Sequence, residues 1–161
     1  MATKKPLRQQ APLHSWGIFM EHFQQKTMLG NNMRALEKLA KTWQWAGEWY
    51  LQEKLVQQQH VVLVTDNEQR IVFCSGNMID MTGYQPEEVI GHAPRIFQGI
   101  GTSDITRAQI RKAIMAKESF EADILNYKKN GTPYLCHISA HPVFNHKQEL
   151  VNFIAFENAV V

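Results

Sequence analysis

The order of apolar patterns along the chain predicts an α+β fold: a five-stranded antiparallel sheet with helices on one face, preceded by an N-terminal helical extension. Three observations carry this. From Ser15 to Tyr50 apolar residues recur at spacings of three and four, as on a helix. The runs His60–Ser75 and Phe120–Asn158 are short, β-rich segments broken by turn residues. Between those two sets of strands lies a block of helical segments, which is the layering of an α+β domain.

Residues 1–13 hold Pro6 and Pro12 among Lys, Gln and Ala, with no apolar period, and are expected to be a disordered tail. Lys4, Lys5 and Arg8 are then solvated charges. The helical extension covers residues 14–56. Ser15 can cap a first helix in which Trp16, Phe19, Met20 and Phe23 form one stripe ending near Gly30. A second helix follows from Asn32, with Leu36, Leu39, Trp43, Ala46 and Tyr50 as its seam. Trp45 and Trp49 sit four apart on another of its faces, so the helix calls for cover twice, by its own domain and by a second copy or partner.

The sheet domain spans residues 57–161. Its first hairpin runs His60–Asp66, a turn at Asn67-Glu68-Gln69, then Arg70–Ser75. Short helices are expected over Asn77–Met81 and from Pro86, where a missing N–H costs nothing. Glu87 and Glu88 read there as helix-start charges rather than an acid–base pair. A longer helix, Ser103–Lys117, is expected to turn Ile105, Ile110, Ala113 and Ile114 to the core. Phe120–Tyr127, Pro133–Val143 and Leu150–Asn158 close the sheet, the first two joined through Asn130-Gly131, which tolerates the positive φ of a tight turn.

Composition narrows the functions. The chain of 161 residues is 20% charged with a formal net charge of +2, too balanced to draw it to nucleic acid or a membrane surface. No apolar run reaches the ~18 residues of a membrane span, and no secretory signal pattern opens the chain, so a cytoplasmic protein is expected. The two cysteines, Cys74 and Cys136, lack metal or redox spacing and read as reduced thiols. His137 and His141 would stand about 13 Å apart on one strand, too far to share a metal. No nucleophile–base set or phosphate-cradling loop stands out, so an enzyme is not expected and no metal or catalytic residue is assigned.

Two stretches carry more. Met81-Thr82-Gly83-Tyr84-Gln85-Pro86-Glu87-Glu88-Val89-Ile90-Gly91-His92-Ala93-Pro94-Arg95-Ile96-Phe97-Gln98-Gly99, followed by Asn126-Tyr127-Lys128-Lys129-Asn130-Gly131-Thr132-Pro133-Tyr134, resembles the sensory PAS domains and, within them, the flavin-binding light-oxygen-voltage (LOV) branch. The resemblance covers about residues 57–159 and implies a cavity between sheet and helices. In that branch a cysteine attacks the excited flavin. Here Pro94 holds its slot, and a pyrrolidine ring has no nucleophile.

The resemblance also implies a pocket for FMN. Arg95 and Arg111 match positions that clamp the phosphate, Gln98 and Asn126 match retained amides, and Cys136 and Glu157 stand where amides would complete the ring edge. An ionised Glu157 could only accept hydrogen bonds there. The cavity could equally be filled by Met78, Met81, Ile96, Phe97 and Phe153. Three readings remain. The first is a stand-alone sensory signal-transduction module with no flavin and no output domain, acting through a homodimer or a separate transducer by way of Leu36, Leu39, Trp43, Trp45, Trp49 and Tyr50. The second is an FMN-binding photo- or redox sensor without the adduct cysteine, and the third an enzyme using the cavity.

Overall fold

The structure, a computed structural model, describes residues 13–47, 49 and 51–160; the expected tail up to residue 12 and Tyr50 lie outside the described residues, and Leu13, expected in the tail, begins the first helix. Helix α1 (Leu13–Thr42) leads through an irregular segment and a short π-helical turn (Glu53–Gln57) into β1 (Val61–Thr65) and β2 (Ile71–Cys74). Then come α2 (Met78–Thr82), α3 (Pro86–Val89), a 3₁₀ turn (Pro94–Phe97) and α4 (Asp104–Ala116). β3 (Phe120–Tyr127), β4 (Pro133–Phe144) and β5 (Leu150–Ala159) complete an antiparallel sheet of order β2-β1-β5-β4-β3. The expected fold class and every expected strand are present.

Local chemistry accounts for the joints. Asp66 Oδ1 accepts from the backbone N–H of Glu68 and of Arg70, both at 2.9 Å, so a carboxylate templates the first hairpin turn. Gly83 closes α2 at φ +76°, a conformation that costs a side-chain-bearing residue energy. The Glu88 carboxylate accepts from the Gln85 N–H at 2.9 Å and pairs with Lys129, tying the start of α3 to the end of β3. Ser103 caps α4, accepting from Thr106 N–H at 3.3 Å.

The helical extension departs from expectation. α1 runs without a break through Gly30, and Ser15 lies inside it rather than at its start. A glycine costs a helix only about 1 kcal/mol, and Asn32 leaves its turn-forming role because its Oδ1 accepts from Gly76 N–H at 3.3 Å across the domain. At Gly76 the helix comes so near that an added Cβ would lie 2.8 Å from Met28 Sδ. The helix ends at Thr42, with Gln44 left-handed at φ +53°, so Trp43 and Ala46 do not continue a helical seam. Instead Trp45 bridges to Asn145, and Ala46 N–H donates to Phe144 O at 2.8 Å, binding this segment to the β4–β5 turn.

The six residues expected at an interface are therefore mostly interior to the chain. Leu36 is fully buried and Trp45 nearly so, in a cluster with Val62, Val64, Ile154 and Phe156, and Leu39 and Trp49 pack against it half-buried. Trp43 stays exposed in the turn. Trp45 Nε1–H donates to Asn152 Oδ1 at 2.8 Å, and Asn152 Nδ2–H donates to Thr65 O at 3.0 Å, a buried chain from the extension to β5 and β1. Trp45 meets Trp49 edge to face at 5.7 Å.

Leu36→Ala is expected to cost about 2–5 kcal/mol of stability through the cavity it leaves, and Trp45→Phe about 1–3 kcal/mol by orphaning Asn152 Oδ1. Urea unfolding of both variants checks this; values near zero would mean that α1 does not belong to the core.

Candidate functional site

β5 is covered on both faces, and its two-residue period divides it. Ile154 and Phe156 face α1, whereas Phe153, Ala155 and Glu157 line a cavity on the other side. Across that floor Leu63, Ala155, Ala140 and Phe120 form one row of partners, and Val61, Glu157 and Ile138 form the next. The small pair Ala140–Ala155 leaves room at the centre. Pro94, Phe97 and Gln98 wall one side, and α4 roofs it with Ile110 and Ile114. No residue of α4 is fully buried, and Ile105, expected in the core, is exposed, so the roof stands off the floor. The empty space, counting the open solvent at its mouth, is about 600 Å³.

Phe97 and Phe153 line this space rather than fill it. Met78 is buried beside the Cys74 thiol, its Sδ 3.0 Å from Sγ, with Met81 and Ile96 packed on the same neighbouring cluster. Of the residues expected at the site, Pro94, Gln98, Asn126 and Glu157 converge on the lining. Cys136 is fully buried behind it and touches Glu157. Arg95 and Arg111 do not join them: both side chains are exposed, and Arg95 borders a separate depression with Arg70 and His92. Two polar lining residues escaped the sequence reading of the site, Thr65 and Gln69. Thr65 closes an otherwise apolar strand, and Gln69 sits left-handed in the hairpin turn at φ +59°; neither belongs to a motif. The two histidines of β4 are engaged separately, His137 with Asp123 at 2.7 Å and His141 with Ser119 at 3.1 Å.

Apart from Gln98 on the side wall, the polar groups gather at two ends. Thr65 and Gln69 mark one, and Glu157 and Asn126 the other. Since Glu157 pairs with Val61 and Phe153 with Thr65, the ends are about 13 Å apart at ~3.3 Å per residue. Thr65 Oγ1 is buried with no hydrogen-bond partner. Glu157 is 5% exposed and makes no ion pair among the described residues; its Oε2 meets only the Cys136 thiol, at 3.8 Å. Burial pushes the Glu157 carboxyl up to about 7, against a small opposing effect of the thiol. Burial and then the nearby carboxyl push the Cys136 thiol up, so it stays protonated.

A model of the PAS domain family matches residues 59–158. The chain belongs to that family. It is 35% identical over 112 residues to Protein TWIN LOV 1 of Arabidopsis thaliana, covering 67% of this chain and 28% of that protein. A blue-light-activated histidine kinase of Brucella anthropi is 38% identical over 85 residues, covering 53% of this PAS chain and 17% of the kinase. A human voltage-gated inwardly rectifying potassium channel is 36% identical over 86 residues, 52% of the chain and 8% of the channel. The chain thus spans less than a third of each of these relatives. The dark structure of the Aureochrome1 LOV photoreceptor superposes with a TM-score of 0.65 at 24% identity, covering 72% of this chain and 86% of that one. The PAS domain of the fruit-fly ELK potassium channel gives 0.62 at 22%, covering 70% and 98%. These likenesses establish a PAS/LOV fold; no helix among the described residues is long and apolar enough to cross a membrane.

Flavin, which the LOV likeness implies, is a poor match for this lining. Gln98 and Asn126 suit it, but a buried acid and a thiol stand where the resemblance puts amides, and among the described residues no cation lines the cavity. An ionised carboxyl against ring carbonyls sets acceptor against acceptor.

Glu157 makes stability depend on pH. Below its ordinary 4.5 both folded and unfolded chains hold the proton; between there and about 7 only the folded chain does. Stability therefore falls as pH rises through that window, by about 1.4 kcal/mol per unit and on the order of 3 kcal/mol in all, then levels off. Its titratable neighbours are Cys136, Cys74 and Tyr134, with Glu21, Asp80 and Lys128 along the groove on its outer side. His60 and His141, held low mainly by burial, slope the opposite way near 6.5. The difference between native protein and Glu157→Gln, followed by urea unfolding from pH 4 to 8, isolates the carboxyl: it is expected to shrink as pH falls below 7, and a flat difference contradicts the assignment.

Proposed function

We propose that this chain is a non-catalytic sensory module that signals through contact with a second copy of itself, without a light-driven cysteinyl adduct. The observation that carries this reading is the division of α1. One face of its C-terminal half, centred on Leu36, packs against the back of the sheet whose front lines the cavity, and its N-terminal half leaves Trp16, Phe19, Met20 and Phe23 uncovered on one stripe. Both Phe rings and the Trp are more than half exposed, and Trp16 stacks on Phe19 at 5.8 Å. Aromatic side chains bury roughly 150–250 Å² each, so covering this stripe removes several hundred Å² per copy. With the flanking polar residues of the same helix that approaches the roughly 800 Å² per partner of a stable interface. The contact surface thus moves from the expected Leu36–Tyr50 seam to the start of α1.

A change in the cavity acts on β5, and β5 acts on the buried half of α1. Such coupling shifts the contact equilibrium by the ligand's preference for one arrangement. Adduct chemistry has no nucleophile at Pro94, and Cys136 is held as a thiol. The FMN-sensor alternative draws support from Gln98 and Asn126 alone.

Light scattering is expected to give a mass near twice 18.6 kDa, falling to the monomer in Phe19→Glu with unfolding free energy changed by less than about 0.5 kcal/mol. The purified protein is expected to show no flavin absorbance and no blue-light bleaching. A native monomer at high concentration, or a reversible photoadduct, contradicts the reading.

A further inference from the structure

Glu157 is a buried acid with no cation partner among the described residues. It lines a cavity whose remaining walls are chiefly Ile, Phe and Ala, and its one hydrogen-bond partner is a weak thiol donor. An apolar residue would be the stabler occupant of such a place, because an uncompensated buried charge is costly. The cost is relieved when something entering the cavity brings donors. Asn126, 4% exposed at the same end of the cavity, offers an amide oxygen as a second acceptor. At the far end, about 13 Å away by strand rise, the unpartnered Thr65 hydroxyl awaits one more polar group. Between them the floor of Ala140 and Ala155 under Ile110 and Ile114 fits a flat apolar body.

The geometry points to a ligand that presents a basic nitrogen group, an amine or amidine on a flat apolar body, to the carboxylate of Glu157. Charge-assisted, forked N–H···O bonds are the strongest such an acid can accept. An anionic ligand meets repulsion there and finds no cation in the lining. The inference rests on the cavity being the sensory site and adds the chemistry of what it senses.

Calorimetry with three flat probes of one shape, benzamidine, benzamide and benzoate, tests it at about pH 8, above the midpoint of Glu157. The native protein is expected to bind benzamidine at least about 10-fold more tightly than benzamide, the size of a gained charged hydrogen bond, and benzoate not at all. In Glu157→Gln the preference is expected to fall within about 2-fold. Ala140→Leu, which keeps the acid and fills the floor, is expected to abolish binding. Failure of the native protein to bind any probe, equal binding of benzamidine and benzamide, or a preference that survives Glu157→Gln or Ala140→Leu overturns the inference. Light scattering on the same samples separates the two readings. Lost probe preference with a dimer mass overturns the ligand class alone, and a monomer that still prefers benzamidine overturns the contact surface alone.

Discussion

β5 lies between β1 and β4 with both faces covered, so its alternate residues belong to two different interiors. Ile154 and Phe156 belong to the side closed by α1; Phe153, Ala155 and Glu157 belong to the cavity. Few other positions in the chain have their surroundings so narrowly determined. A strand with two buried faces cannot slip register by one residue without exchanging every side chain between them, and here such a slip would drive Glu157 into the Leu36–Trp45 cluster. The Trp45–Asn152–Thr65 hydrogen bonds hold that register from the α1 side.

This arrangement makes the sheet a partition with a readable surface on each side. On the front, the alanine pair and the standing-off helix α4 leave space, and the polar groups are placed at its two ends. On the back, the helix that seals the sheet continues beyond the domain with its aromatic stripe uncovered. The space in front and the stripe behind are thus joined by one strand and one helix.

The strands were legible because β-rich runs, the polar Asn67-Glu68-Gln69 turn and an Asn-Gly turn each carry their own local signal, and those signals agree. The helices at Pro86 and Ser103 were legible too, from the imino acid and from the apolar spacing of Ile110, Ala113 and Ile114. The extension was not. Gly30-Asn31-Asn32 has the composition of a break, and only the partner of Asn32, the Gly76 N–H some forty residues away, shows why the helix continues. Trp45 and Trp49 have helical spacing yet lie in an irregular segment, because a four-residue interval does not distinguish a helix face from two rings meeting edge to face. At the site, Pro94, Gln98, Asn126 and Glu157 could be placed by motif, whereas Thr65 and Gln69 could not, since their role depends on how a hairpin turn meets the cavity. Arg95 and Arg111 were placed by motif and lie outside the lining, because a motif fixes position along the chain and not the direction of a long exposed side chain.

Coupling across the partition is the central claim. Amide hydrogen exchange of the native protein against Ala140→Leu, in which a larger side chain occupies the cavity floor, tests it most directly. Altered protection in β5 and in the α1 segment from Met28 to Thr42, on the far side of the sheet from the substitution, is the result this account predicts. Changes limited to α4 and the strands around residue 140, with α1 unmoved, would contradict it.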